Sequence, residues 1–223
     1  LGNAAGNGTS TTSFDVTVAD PYPEEFIIIG DSTAGEHSSG PAISTLLYTP
    51  AEAAFRPGVA NLAYAGDGIV TARNRWDASP YKGKPTVKAV IVMLGINDAA
   101  SILINDPPQA AFDYIATYYT AMFDSIRSTN PNADLVLSTL VPCAAGLSAH
   151  AADVVAIMQA AIVGSWSTGT GRSFVDLRAV LDADSDGTID SSKSADAMHP
   201  NAAARQMIAD GWHSRLVSLG RLP

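Results

Sequence analysis

Phe26-Ile27-Ile28-Ile29-Gly30-Asp31-Ser32-Thr33-Ala34-Gly35 is the stretch on which the reading of this chain turns. Four apolar residues, three of them β-branched, predict a short buried strand. The pattern breaks at Gly30 and presents Asp31 and Ser32. A serine just past a buried strand stands where open α/β sheets carry out chemistry, outside the carboxyl ends of the strands. Serine and aspartate also favour turns and helix caps. Ser32 alone is therefore not a site. A base, an orienting acid and oxyanion donors must come from elsewhere in the chain.

Working outward, strand patterns alternate with helical ones. Residues 59–64 and 88–94 predict a second and a third strand, the third almost continuously apolar as fully buried parallel strands are. Residues 134–141 predict a fourth strand, ended by Pro142, and 173–177 a short fifth. Residues 41–55 are partly helical and broken by Pro50. In 109–128, Phe112, Ile115, Tyr119, Met122, Phe123 and Ile126 fall at helical steps, with Pro107 and Pro108 before them and Pro131 after. Residues 151–163 form a second amphipathic pattern. The last helix spans 201–219, with Ala204, Ile208, Trp212 and Leu216 in one row. This alternation predicts an α/β fold: three layers, α/β/α, around a parallel, flavodoxin-like sheet of about five strands.

Residues 1–23 differ in character from the rest of the chain. Gly, Asn, Ser, Thr and Ala dominate 1–13, and Phe14-Asp15-Val16-Thr17-Val18 alternates like an edge strand before Pro21 and Pro23. This segment reads as a linker or the end of a preceding β module, with an arm packed on the main domain as the alternative. The expected context is a longer, multidomain, secreted or extracellular chain. The sequon at Asn7-Gly8-Thr9 adds little without a known secretory origin.

Composition narrows the function. The 223 residues suit one domain with a sizeable core, 24–223. A net charge of −9, from 13 basic and 22 acidic residues, repels phosphate backbones and excludes nucleic acid as an expected partner. No run approaches 18 uninterrupted apolar residues and no Lys/Arg cluster occurs, so no membrane association is expected. Cys143 is the single cysteine and follows a buried-looking strand, which reads as an inert core thiol.

Three further stretches carry chemistry. Gly66 follows the second strand, where glycine lets backbone approach a ligand closely. Gly66-Asp67-Gly68-Ile69-Val70-Thr71 half-resembles a dinucleotide fingerprint but lacks its third glycine. Leu94-Gly95-Ile96-Asn97-Asp98 follows the third strand, and the Asn97 amide is a donor able to polarise a carbonyl oxygen. Asp196-Ala197-Met198-His199-Pro200 precedes the last helix, and an Asp and a His three apart on one loop can pair carboxylate with imidazole. His37, His150 and His213 have no such partner pattern and read as structural. Each stretch alone reads as an ordinary turn or surface pair. Four of them in this order are not explained that way.

Gly30-Asp31-Ser32, Gly66, Gly95-Ile96-Asn97-Asp98 and Asp196-Ala197-Met198-His199 together resemble the four sequence blocks of the SGNH (GDSL-like) hydrolases, across roughly Glu24 to the C-terminus. The first block has Thr33 where many members have Leu or Ile, a variation similar to some pectin-deacetylating members. The resemblance implies Ser32 as nucleophile, His199 as general base and then acid, and Asp196 as its orienting partner. It implies an oxyanion hole from the Ser32 and Gly66 N–H groups and the Asn97 side chain. Chemistry asks for the same parts, since a serine hydroxyl is a poor nucleophile until a base takes its proton. The arrangement is not the Gly-x-Ser-x-Gly elbow, because Gly146-Leu147-Ser148-Ala149-His150 lacks the closing glycine.

Asp182-Ala183-Asp184-Ser185-Asp186-Gly187-Thr188-Ile189-Asp190 copies an EF-hand loop through its ninth position. Asp182, Asp184, Asp186, Thr188 and Asp190 are the candidate calcium ligands, against a solvated acidic turn. Lys193 stands where the bidentate acid belongs, and flanking helices are not evident. Such a calcium would be structural, and catalysis would require no cofactor. The expected activity is hydrolysis of small acyl esters, above all O-acetyl groups on carbohydrate. The sequence has no apolar lid or long run for acyl chains. Alternatives are a lipase or thioesterase, an acyltransferase, and a noncatalytic glycan-binding module on the same fold.

Overall fold

The computed structural model describes residues 24–35, 43–47 and 58–223. Residues 1–23, His37 and most of the predicted helix at 41–55 lie outside them. Five strands, β1 (Glu24–Gly30), β2 (Gly58–Asn61), β3 (Ala89–Met93), β4 (Asp134–Ser138) and β5 (Arg172–Val175), form one all-parallel sheet in the order β2-β1-β3-β4-β5. Phe26 to Ile29 of β1 and all of β3 are buried. That is why these segments read as unbroken apolar runs: parallel strands between two helical layers have no solvent face.

The helices fall into two groups. α2 (Ile69–Asp77), α3 (Ile96–Ser101), α4 (Pro108–Thr129) and α5 (Ala149–Ala161) pack on one another; α1 (Ile43–Leu46) and α6 (Arg178–Leu181) pack on α7 (Ala202–Ser218). The result is the expected three-layer α/β/α architecture. α4 starts on Pro108, whose missing N–H costs nothing in a first turn. Ser148 caps α5 by accepting from the Ala151 N–H at 3.2 Å, and Asn201 caps α7 by accepting from Ala204 at 3.1 Å. Trp212 is fully buried and its indole N–H donates to Ser138 Oγ at 3.2 Å, fixing α7 against β4.

The sequence pattern misses α2, α3 and α6. α2 buries only Ile69, Ala72 and Trp76 among polar neighbours, too narrow a stripe to stand out, and the other two are about one turn long. α6 leads directly into the acidic loop, so a helix does precede that loop where the sequence shows no sign of one. α5 runs on into a π-helical turn, Ile162–Trp166, placing Trp166 in a stack on Tyr119 with ring centroids 4.6 Å apart. The combined segment Ala149–Trp166 is long and apolar enough to cross a membrane by length and composition alone. Here Val154, Val155, Met158 and Ile162 are buried in the core.

Candidate active site

The strand order places β1 between β2 and β3, so the turns after these strands lie side by side at the carboxyl edge. The chain leaves β1 toward one neighbour and later crosses to the other, and such a switch point opens a crevice. The turn after β1 is held from within. The buried Asp31 carboxylate accepts from the Thr33 N–H at 2.9 Å and the Thr33 hydroxyl at 2.7 Å, while its carbonyl accepts from Gly35 at 2.9 Å. Burial pushes the Asp31 carboxyl above its ordinary value, against the pull of the Thr33 bonds. Ser32 sits half-buried on this turn.

His199 arrives from the loop before α7. Asp196 Oδ1 accepts the His199 N–H at 2.8 Å and the Met198 N–H at 3.2 Å, and Asp196 Oδ2 lies 2.7 Å from His199 Nδ1. Ala197 takes the left-handed conformation, φ 68°, that closes this tight turn. The bonds to His199 hold the Asp196 carboxyl down at about 2. An ionised Asp196 can only accept a hydrogen bond, so Nδ1 carries the proton and donates it, which leaves Nε2 as an acceptor. That Nε2 lies 3.0 Å from Ser32 Oγ. Ser32, His199 and Asp196 thus form one continuous hydrogen-bonded row, although 167 residues separate the serine from the histidine.

Arg205 joins the two turns, and no sequence motif singles it out. It is fully buried; Nη1 donates to the Gly35 carbonyl at 2.8 Å and Nε to the Pro200 carbonyl at 3.3 Å. One side chain of α7 therefore ties the serine turn to the histidine turn. Burial pushes its guanidinium below the ordinary value. The one signal in the sequence is its position: Arg205 shares the buried stripe of Ile208, Ala209, Trp212 and Leu216, and a charge on such a stripe needs polar partners.

The remaining predicted site residues lie on the turns after β2 and β3. Gly66 has φ +81°, the left-handed region, with nothing within 4 Å of where a Cβ would stand. Its requirement for glycine is conformational rather than steric. Asn97 Nδ2 donates to the Asp67 carbonyl at 2.9 Å, which ties its turn to that of Gly66 and leaves one amide hydrogen for another acceptor. Asp67 is held by Arg75, whose Nη2 reaches Asp67 Oδ1 at 3.2 Å while Nη1 bonds Oδ2. Asp98 is buried, and both its oxygens accept the Ile69 N–H at the start of α2, each at 3.0 Å. Gly68 backs onto it so closely that a Cβ would meet Asp98 Oδ1 at 2.6 Å.

Burial raises the Asp98 carboxyl from 3.8 to about 6, and the charges of Asp31 and Asp67 add to the rise. The folded protein therefore binds this proton more tightly than the unfolded chain. The stabilisation is complete below the unfolded value and is lost as pH rises through the folded one. Unfolding free energies by denaturant at acidic and neutral pH should show it. The difference between wild type and Asp98→Asn is expected to change by roughly 3 kcal/mol between these limits. Parallel profiles would contradict the raised value.

The acidic loop closes on itself. Asp182 accepts the Asp186 and Gly187 N–H groups at 3.1 and 2.9 Å, and Asp186 accepts from Thr188 N at 2.7 Å. Thr188 Oγ1 accepts from the Ala145 N–H at 3.3 Å. Carboxylate oxygens of Asp182, Asp184 and Asp190 lie within 4.8 Å of one another, and the Asp186 carboxylate is not in this group. Lys193 pairs with Asp190 at 2.7 Å and holds its carboxyl below the ordinary value. Cys143 is buried beside this loop, and burial pushes its thiol up to about 12, so it carries no thiolate chemistry.

A hydroxyl 3.0 Å from an acceptor imidazole, backed by an ionised carboxylate, can be deprotonated as it attacks an ester carbonyl. A family model described as the GDSL-like Lipase/Acylhydrolase family matches residues 28–207. No curated protein sequence matches the chain. Among solved structures, a lipase/acylhydrolase from Enterococcus faecalis has a TM-score of 0.63 at 19% identity, over 90% of this chain and 97% of its own. A carbohydrate esterase family 3 protein from Talaromyces cellulolyticus has a TM-score of 0.63 at 17% identity, over 88% and 97%. An acetyl esterase mutant solved with an acetate ion has a TM-score of 0.61 at 17% identity, over 88% and 97%. At these identities the likeness is one of fold.

Proposed function

We propose, since this chain belongs to the GDSL-like lipase/acylhydrolase family, that it is a serine esterase removing small acyl groups, O-acetyl above all, from carbohydrate. The observation that carries the esterase reading is the row Ser32–His199–Asp196. Ser32 Oγ attacks the ester carbonyl while His199 Nε2 takes its proton. The tetrahedral oxyanion is met by the Ser32 and Gly66 N–H groups and the Asn97 amide, donors worth about 3 kcal/mol each in such sites. His199 then protonates the departing sugar oxygen. A water activated by the same imidazole releases the acid and restores Ser32.

Two features support the small acyl group and the sugar. The sequence supplies no apolar lid, and the long apolar segment Ala149–Trp166 buries Val154, Val155, Met158 and Ile162 in the core. Two structures of this fold are a carbohydrate esterase and an acetyl esterase by name. The lipase/acylhydrolase among the neighbours keeps a lipase as the second reading. Acetate release across a panel of acetylated polysaccharides, beside 4-nitrophenyl esters of rising chain length, separates the two. Acetate release with activity falling beyond short chains is expected. A maximum at long chains with no acetate release would reject the carbohydrate reading.

The same reading assigns a structural calcium ion to the acidic loop, held by Asp182, Asp184 and Asp190, with Asp186 and Thr188 shaping the turn. Hard carboxylate oxygens around a glycine turn suit that ion. The loop continues into the histidine turn, where Asn201 Nδ2 donates to the Ser192 carbonyl at 2.8 Å and Ala195 N to the His199 carbonyl at 2.8 Å. Thermal unfolding in millimolar calcium should shift up by several degrees relative to chelator. Identical transitions would reject the ion.

A further inference from the structure

We propose that Tyr64 is the platform on which a sugar ring of the substrate stacks, beside the turn that carries Gly66; this rests on the carbohydrate reading of the function. Tyr64 is 64% exposed, more than any other large hydrophobic side chain among the described residues. It is nonetheless fixed. Its N–H donates to the Gly30 carbonyl at 3.1 Å, at the end of the strand that presents Ser32, and its carbonyl accepts from Asp67 N at 3.1 Å across the Gly66 turn. The backbone of Tyr64 thus belongs to the same frame as the nucleophile and the oxyanion turn.

The ring is fixed as well. The Arg75 guanidinium lies 4.5 Å from its centroid. Arg75 is itself locked by the Leu62 carbonyl at 3.1 Å and by both oxygens of Asp67. An aromatic ring that is open to solvent yet oriented loses little further freedom when a flat ligand lands on it. The cation backs the ring, and the exposed area remains for a partner. A pyranose ring has an apolar face of C–H groups carrying partial positive charge, complementary to the negative π face of a phenol ring.

Tyr64 also borders a cleft of about 410 Å³ lined by Asn61, Ala63 and Ala65, within the size range of small-molecule sites. Among the described residues this lining carries no ionised side chain; the Asn61 Oδ1 accepts from Ala63 N at 2.9 Å and its Nδ2 reaches the Ala34 carbonyl at 3.5 Å, which leaves one amide hydrogen for a sugar hydroxyl. One oriented aromatic wall beside an amide hydrogen suits a sugar ring.

Kinetics on two substrates test this: an acetylated oligosaccharide cut from the polysaccharide that releases most acetate in the panel, and 4-nitrophenyl acetate, which has no sugar. In Tyr64→Ala the ratio of kcat/KM on the oligosaccharide to that on the aryl ester is expected to fall about tenfold, carried by KM. Tyr64→Phe and Tyr64→Trp, which keep an aromatic face, are expected to hold the ratio within about twofold. An unchanged ratio in Tyr64→Ala, or equal losses in all three variants, would overturn the platform. Wild-type protein that cleaves the aryl ester but releases no acetate from any acetylated polysaccharide of the panel would instead overturn the carbohydrate reading on which the platform rests.

Discussion

Ser32→Ala is expected to lower kcat on an aryl acetate by on the order of 10⁵–10⁶-fold, the loss seen when the nucleophile of such a row is removed. On the proposed mechanism this variant still binds substrate and offers the oxyanion donors, but has no hydroxyl to form the acyl-enzyme. The fold should be indifferent. The turn is held by Asp31 and Thr33 rather than by the Ser32 hydroxyl, whose bond goes to His199. A melting temperature within about 3 °C of wild type is expected for so peripheral a change. Activity above about 1% of wild type would mean that another group attacks the ester.

Asp196→Asn carries the second large effect. An asparagine can keep its oxygen toward the Met198 and His199 N–H groups, so the turn should persist. Its amide hydrogens would then face Nδ1 and favour the imidazole tautomer that places a proton on Nε2, toward Ser32. A base already protonated on the wrong nitrogen cannot accept the serine proton. A fall in kcat of about 10⁴-fold is expected, with a much smaller change in KM. An effect below tenfold would show that Asp196 does not set the tautomer.

Asp196 also has a pH signature. Its carboxyl sits at about 2, below the ordinary 3.8. The stabilisation this brings is present above the unfolded value and is lost as pH falls through the folded one. The orienting charge therefore survives mild acid, and weakening there traces to groups other than Asp196. Asp98 acts in the opposite sense because burial, not pairing, dominates its surroundings.

Much of the frame is legible in the sequence because burial leaves a plain mark. β1 and β3 have no solvent face, so Phe26–Ile29 and residues 89–93 carry no polar interruption. The α4 stripe is equally clear, since one face meets the core and the other meets water. The residues of the serine and histidine turns can be picked out because each stands at a strand end or helix start, where chemistry-bearing types are conspicuous.

What escapes the sequence depends on distance. Arg205 is a helix residue whose meaning lies in Gly35, 170 residues away in sequence. Asp98 is visible as part of a block, but its bonding to Ile69 at the start of α2 emerges only once the β2 and β3 turns adjoin. α2 itself is hidden because three apolar residues in nine do not mark a period. Tyr64 reads as the last residue of a predicted strand. Its exposure and its cation partner emerge only after Asp67 turns Arg75 back onto the ring.

The most direct measurement is labelling with a fluorophosphonate, which reacts with activated serines, followed by peptide mass spectrometry. One adduct per chain, on Ser32, absent from Ser32→Ala and strongly slowed in His199→Ala, is the predicted result. A wild-type protein left unlabelled, or an adduct that persists in Ser32→Ala, would contradict Ser32 as the activated nucleophile.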